Sequence, residues 1–387
     1  MEIGMVLPEF RPVAAGAERM AEALSRRLVN DGHDVWVLTG HWRAEDVRFE
    51  RDGNLRIIRH ATLWNGFGCP MLWRLGRYVY LCSLAWHLIW RGRRWQVWHV
   101  HQALTWAAVS VWVARWFRKP VVIKVTAGPL EFDLNMVRPW CRPLILKAQR
   151  LVCVSVAGRQ RLLASGGQPE QVVVIPNGVD LQRFSPTVEA GGSTFIFVGR
   201  FEWVKGIDLL LQAMAQLRRA NRLGAWKLQI VGWGSQLRIF QRAAIALEIA
   251  ESVEWLGSRD DVPNLLRRSR VFIQPSRSEG MSNSLLEAMA SGLPCVATDV
   301  GGTREVFGYG VPGDMVSAVT QTPVGFLVPP ESAEGLAEAM GRLMEQPALR
   351  RDIGVAARQR IEAAFTLDQT TQAYEALYQQ LLNGGRG

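Results

Sequence analysis

The sequence predicts an α/β protein made of two doubly wound domains in tandem, and three observations carry that prediction. Short apolar runs alternate with helical-period segments from the first residue onward, the rhythm of βαβ units whose helices cover both faces of a parallel sheet. The 387 residues exceed a usual single domain, and 48% hydrophobic against 21% charged is a globular balance with room for two cores. A stretch of small residues, Val188-Glu-Ala-Gly-Gly-Ser193, separates one βα series from the next and places a linker near 181–193.

The first series supplies the strand candidates Ile3–Leu7, Val35–Thr39, Leu55–Ile58, Val97–His101, Val121–Val125, Leu151–Val154 and Val172–Ile175. Each is an apolar run too short for a helix, and together they fill one doubly wound domain. The second series supplies Phe195–Val198, Lys227–Val231, Val253–Leu256, Val271–Gln274 and Cys295–Thr298, each leading into a helix-like stretch. The expected domains are therefore 1–183 and 184–365, followed by a terminal segment 366–387 with a helix over Asp368–Leu382. Ligands of open α/β sheets bind at the carboxyl ends of the strands, so two facing sheets put the natural site in the cleft between them.

Charge is placed unevenly. Residues 1–183 hold 25 Lys+Arg against 14 Asp+Glu, a balance of +11, while residues 184–387 hold 20 against 21. Twelve of the 16 Trp also lie in residues 1–140. One reading docks the Trp- and Arg-rich region around Met71–Trp98 on an anionic membrane. The other fills the core with Trp and solvates helix faces with Arg. Trp95–Ala114 has 20 residues without a formal charge, but Gln96, His99, His101, Gln102, Thr105 and Ser110 make it a strand followed by a helix, not a membrane span. The run Tyr78–Trp90 is too short to span and suits a membrane surface.

The five Cys form no C-x-x-C pair and are odd in number, against a disulfide framework or a zinc site and in favour of a reducing cytoplasm. Met-Glu-Ile-Gly-Met-Val reads as a first strand and not as a signal peptide. Pro8–Gly16 lacks G-x-G-x-x-G, which weakens a dinucleotide-binding reading, and no aromatic RNA motif or helix-turn-helix signature accompanies the basic charge. Nucleic acid is therefore not the expected partner. Asp260-Asp261 precede Val262-Pro263 at a helix start, where acids suit the dipole, and are not a metal motif.

The most informative segment is Gln274-Pro-Ser-Arg-Ser-Glu279-Gly-Met-Ser-Asn-Ser-Leu-Leu-Glu287-Ala-Met-Ala-Ser-Gly-Leu-Pro294, which follows a strand and opens a helix. Pro275 and Gly280 favour an irregular loop, Ser284 and Glu287 fit a capping box, and the helix amino end offers N–H groups to an anion. A carboxylate there cannot bind phosphate but can accept hydrogen bonds from sugar or ribose hydroxyls beside one. A capped helix with solvated acids is the plain alternative.

This segment, with Glu279 and Glu287 separated by seven residues, resembles the hallmark of the retaining family 4 glycosyltransferases with the GT-B fold. Other landmarks follow in order. Val198-Gly199-Arg200 with Lys205-Gly206-Ile207-Asp208 is similar to the family's phosphate-binding strand and loop, and Ile175-Pro-Asn-Gly-Val-Asp180 to its interdomain signature. Gly16-Ala17-Glu18-Arg19 resembles its first loop, and Val324-Gly-Phe-Leu-Val-Pro-Pro330 its closing strand. The resemblance covers nearly the whole chain. It implies two facing Rossmann-like domains, the first for the acceptor and the second for a nucleotide-sugar donor, with the last helix crossing back to the first domain. It implies that Arg200 and Lys205 grip the donor diphosphate, Glu279 holds donor-sugar hydroxyls, and Glu287 the ribose. Backbone groups at Gly16, Gly199, Gly280, Met281 and Ser282 would complete the donor site. His101 matches the family's His that approaches the reacting sugar, with a buried, backbone-satisfied His as the alternative, and His99 is assigned to the opposite side of the strand as structural.

The implied activity is sugar transfer from a nucleotide-sugar, a substrate and not a cofactor, to a saccharide or lipid-linked acceptor of cell-surface polysaccharide or glycolipid. No cofactor and no metal are expected, and the protein would be cytoplasmic, peripheral on the inner membrane face. A nucleotide-sugar epimerase of the same fold and a non-catalytic nucleotide- or nucleic-acid-binding protein are the rivals. Three departures bear on acceptor and donor identity: Ala15 before Gly16, Ala127 where many members place a His, and Thr303-Arg304-Glu305 for Ile-Pro-Glu with an extra stretch Tyr309–Thr322. Gly232-Trp-Gly234 reads as a turn.

Overall fold

The computed structural model describes residues 1–12, 16–43, 45–62, 70–125, 138–187, 192–310 and 316–384, the side chains of 70–74 excepted. Cys69, Ala15, Ala127 and parts of the 188–193 and 309–322 stretches lie outside the described residues. The chain forms two compact units, Met1–Pro176 with Leu367–Gly387, and Asn177–Thr366.

The first unit carries an eight-stranded sheet. Its strands are β1 Glu2–Val6, β2 Asp34–Gly40, β3 Phe49–Asp52, β4 Leu55–His60, β5 Val97–His101, β6 Val121–Val125, β7 Arg150–Cys153 and β8 Val172–Val174. Their order is β3-β4-β2-β1-β5-β6-β7-β8, parallel except for β3. The seven expected strands are present with ends moved by a residue or two. The addition, β3, is an edge strand of mixed charge (Phe-Glu-Arg-Asp) turned back onto β4 through Gly53. An edge strand exposed on both faces needs no apolar run, so the apolar pattern does not reveal it.

Side chains alternate across this sheet. Trp36, Leu38, Trp98 and Val100 point to the face covered by helices Pro70–Arg91, Thr105–Trp116 and Cys141–Ile145. Ile3, Met5, Val35, Val37 and Val97 point to the other, covered by helices Gly16–Asn30 and Leu367–Gly384. The terminal helix enters that core with Tyr374, Leu377 and Tyr378. Trp36, Trp95, Trp98 and Trp106 are buried, whereas Trp86, Trp90, Trp112, Trp116 and Trp140 are exposed, so core filling accounts for some of the Trp and not for the rest.

The second unit carries β9 Thr194–Val198, β10 Lys227–Val231, β11 Val253–Gly257, β12 Val271–Gln274, β13 Cys295–Thr298, β14 Thr320–Thr322 and β15 Gly325–Val328. The order β11-β10-β9-β12-β13-β15-β14 is again parallel apart from the short polar edge strand β14. The topological switch lies between β9 and β12, where ligands of such sheets bind.

Candidate donor site

The loops after β9 and β12 build the site. Phe201, buried beyond the end of β9, donates its N–H to Trp233 O (2.8 Å) and so stitches the β9 loop to the β10 loop. Gly232 takes φ 140°, and a Cβ on it would stand 1.9 Å from Gly199 O. A Cβ on Gly234 would stand 2.5 Å from Phe201 O, so the Gly-Trp-Gly turn is required by close backbone packing beneath Gly199 and Arg200. Trp203–Lys205 form one 3₁₀ turn, and Gly206 at φ 67° links it to helix Ile207–Arg219. A Cβ on Gly206 would lie 2.0 Å from Pro275 O.

That contact between the two loops brings Lys205 to Glu279. Lys205 Nζ donates to Glu279 Oε1 at 2.7 Å, and Ser276 Oγ donates to the same oxygen at 2.8 Å. Glu279 is only 9% exposed, so its carboxylate is held by an ammonium and a hydroxyl in a largely dry place. Below it, Gly301 at φ 55° leaves no room for a side chain, since a Cβ would fall 1.7 Å from Glu279 O. Gly302 N–H donates to Gly280 O at 2.8 Å.

Helix Asn283–Ala290 starts directly after this loop. Its cap is Ser282, whose Oγ accepts from Leu285 N–H (3.3 Å), and not Ser284, which lies inside the first turn; the expected Ser284–Glu287 capping box does not form. The Ser284 hydroxyl instead lies 3.1 Å from the capping Ser282 Oγ. Glu287 follows in the second turn, half-buried. Asn177 of the Ile-Pro-Asn-Gly-Val-Asp segment donates through Nδ2 to Asn283 Oδ1 (2.8 Å), fastening that segment to the helix start.

Arg277 stands two residues from Glu279 and carries no motif signal in the sequence. Its guanidinium grips Asp208 through two bonds of 2.7 Å, Glu331 at 2.7 Å and Trp203 O at 2.8 Å, and lies 4.4 Å over the Trp203 ring. Its own N–H donates to Val204 O (2.8 Å). The bonds to Asp208 come first among the causes that raise its pKa. Arg277 thus holds the Lys205 turn in position without offering its charge to a ligand.

Gly199, Arg200, Lys205, Glu279, Gly280, Met281, Ser282 and Glu287 all belong to the second unit; Gly16 and His101 belong to the first. Gly16 opens helix Gly16–Asn30. His101 ends β5 but is 3% exposed, its ring stacked on His99 at 4.4 Å between centroids. The expected placement of His99 on the opposite side is corrected: two residues apart on a strand means the same face. In register with His101 lies Lys124 of β6; Tyr374 packs against His99 and Lys124, and Tyr378 against His99. Tyr378 Oη is 2.6 Å from His99 Nδ1. Burial first, then Lys124, lowers His99 to about 3; burial, then His99 and Lys124, holds His101 well below its usual value. Burial brings Lys124 down to about 7. His101 is buried, as in the alternative reading, but its Nε2 finds no hydrogen-bond partner among the described residues, so the backbone does not satisfy that nitrogen there.

No group of three or more His, Cys, Asp or Glu arranged to hold a metal ion occurs among the described residues, and no helix among them is long and apolar enough to cross a membrane.

Residues 14–183 match the model of the glycosyltransferase family 4, and residues 179–360 that of the glycosyl transferases group 1. The glycogen synthase of Mycobacterium tuberculosis is 26% identical over all of this chain and 96% of its own length. The phosphatidyl-myo-inositol mannosyltransferase of Mycobacterium leprae is 28% identical over 74% of this chain and 76% of its own. Among solved structures, Anabaena HepE in complex with UDP-glucose superposes with a TM-score of 0.76 at 18% identity, covering 97% of this chain and 99% of that one.

Proposed function

Because the chain is a glycosyltransferase that belongs to family 4 and has the GT-B fold, we propose that it transfers a sugar from a nucleotide diphosphate donor, with retention at the anomeric carbon, to a saccharide or lipid-linked saccharide. The observation that carries this reading is the Lys205–Glu279 pair, 2.7 Å apart, just before helix Asn283–Ala290, with Arg200 in the same loop as Lys205. A diphosphate leaving group gathers negative charge as the glycosidic bond breaks. Arg200 and Lys205 supply cations for it, and the start of a helix supplies N–H groups, so transfer proceeds without a metal. Glu279, held by Lys205 and Ser276, accepts from donor-sugar hydroxyls, and Glu287 from the ribose. The departing phosphate takes the proton of the incoming hydroxyl on the same face. His101 enters as a positioning residue, since its ring is packed on His99.

UDP-sugars are the first donors to test, because HepE is a structural neighbour with UDP-glucose bound. The phosphatidyl-myo-inositol acceptor named for the mycobacterial relative supports a lipid-linked acceptor, met by a cytoplasmic enzyme peripheral on the inner membrane face. Calorimetric titration of UDP-, GDP- and ADP-sugars into wild type, Lys205→Ala and Glu279→Ala tests the site. One donor should bind wild type and weaken roughly tenfold or more in Lys205→Ala. No donor binding to wild type would overturn the reading, and donor turnover without acceptor would replace it with epimerisation. Retention is read from the anomeric coupling of the product by NMR, and metal independence from unchanged turnover in EDTA.

A further inference from the structure

Helix Pro70–Arg91 is apolar on two faces. Gly76, Tyr80, Leu84 and Leu88, four residues apart, are buried against the sheet. Leu75, Tyr78, Cys82, Trp86 and Trp90, spaced three or four apart, form a second stripe and are exposed, Trp86 at 66% and Trp90 at 67%. A helix apolar all round normally lies inside a core or in lipid.

The neighbouring helix Thr105–Trp116 packs against it and repeats the device: Trp112 and Trp116 are exposed, and Trp140 is exposed where helix Cys141–Ile145 begins on its other side. Trp86 and Trp90 lie 5.4 Å apart between ring centroids, and Trp112 and Trp116 4.5 Å apart, so each helix presents a paired aromatic ridge. The charges carried by the two helices and the segment between them have one sign. No Asp or Glu occurs from Gly53 to Leu130, while Arg91, Arg93, Arg115, Arg118 and Lys119 cluster at the helix ends. Arg93 lies 5.1 Å over the Phe117 ring, which brings the basic end of one helix to the aromatic end of the other.

We propose that this aromatic face of the first unit, with its basic helix ends, seats on an anionic phospholipid bilayer, with Trp86, Trp90, Trp112 and Trp116 at the headgroup level and the arginines on lipid phosphates. Paired Trp beside Arg suit the membrane interface, where an amphipathic ring meets both hydrocarbon and headgroup. A second copy of the chain is the poorer occupant, since a two-fold contact would set this basic face against itself. The proposal rests on the membrane-peripheral reading above and names the surface responsible for it.

The test is co-sedimentation of the full chain with phosphatidylglycerol–phosphatidylcholine vesicles and with phosphatidylcholine vesicles alone. Wild type should pellet with the anionic vesicles, release as salt rises, and bind the neutral ones far less. Trp86→Ala/Trp90→Ala and Arg115→Glu/Arg118→Glu should each weaken vesicle binding by roughly tenfold or more. These positions are exposed, so both variants should keep the wild-type melting temperature and nucleotide-sugar affinity. Equal binding of wild type and both variants, equal binding to neutral vesicles, or a dimer in solution that hides the Trp would overturn the proposal. So would stronger retention of a single-stranded oligonucleotide than of anionic vesicles. Donor affinity of the wild type in the same samples separates the outcomes: a wild type that binds donor but not anionic vesicles refutes the docking face alone, whereas one that binds anionic vesicles but no donor refutes the donor site alone.

Discussion

Lys205 in the second unit and Lys124 in the first are treated in opposite ways. Lys205 has a carboxylate at 2.7 Å; Lys124, 1% exposed, lies in register with His101 and beside the ring of Tyr374, with no ion pair among the described residues. The first is a paired charge at a loop junction. The second is an unpaired group in a packed face, and burial resolves the conflict by shedding its proton near pH 7. Pairing, not depth, separates a group that can meet ligand charge from one that titrates.

The strongest way to break the paired site is to separate the loops that create it. Gly301→Ala puts a Cβ 1.7 Å from Glu279 O at a positive φ, so the Glu279 loop must shift. The expected cost is about 2–4 kcal/mol of second-unit stability, with loss of measurable donor binding. Chemical denaturation and calorimetry check it, and wild-type donor affinity in this variant would separate Glu279 placement from function.

The unpaired lysine predicts the opposite sign. Lys124→Met should stabilise the first unit by about 1–4 kcal/mol at neutral pH, because an apolar side chain replaces a buried amine. The folded pKa of Lys124, about 7, lies below the usual 10.5, so its penalty is complete below pH 7 and disappears as pH rises to 10.5. Wild-type stability should gain in that interval from this residue, and the variant should lack the gain. Hydrogen exchange resolved by unit reads both.

Acid sharpens the contrast further. All six His lie in residues 33–101, within the first unit, and burial lowers His60 and His99 to about 3 and His87 to about 4. The unfolded chain binds these protons from about pH 6.5 downward and the folded one does not, so stability is intact above 6.5 and falls as pH drops toward 4. The first unit should lose protection in this window before the second, which has no His. His99→Gln should reduce the slope. Simultaneous loss in both units would show that carboxylates dominate.

The two regions were unequally legible in the sequence. Strands such as Val97–His101, Val121–Val125 and Val271–Gln274 stand out at their observed ends because both faces are buried and the apolar run is continuous. The polar edge strands Phe49–Asp52 and Thr320–Thr322 carry no such signal. In the candidate site, Glu279 and Lys205 are visible as motif residues, whereas their contact depends on Gly206 fitting under Pro275 O, 74 positions of sequence separating the pair. Arg277 was invisible for the same reason: Asp208 and Glu331 reach it only after folding. The stacked His pair was readable from the period of two, and Lys124 joins it only through strand register.

Helix caps offer the smallest and most selective comparison. Ser155 Oγ accepts from Gly158 N–H (3.0 Å) in the first unit, and Ser282 Oγ from Leu285 N–H (3.3 Å) in the second. Each cap satisfies one N–H at a helix start, so Ser155→Ala and Ser282→Ala should each cost about 1 kcal/mol, a fall of roughly 2–4 °C in melting temperature. Equal stability loss makes the pair a matched control for function. Only Ser282 stands between Glu279 and helix Asn283–Ala290, so only its replacement should raise the donor dissociation constant, by a few-fold. If Ser155→Ala weakens donor binding as much, then the effect travels through general loosening and the helix start is not a ligand contact. If neither does while Lys205→Ala does, the donor diphosphate is held by the side-chain cations, and the helix start serves to keep Glu279 in place.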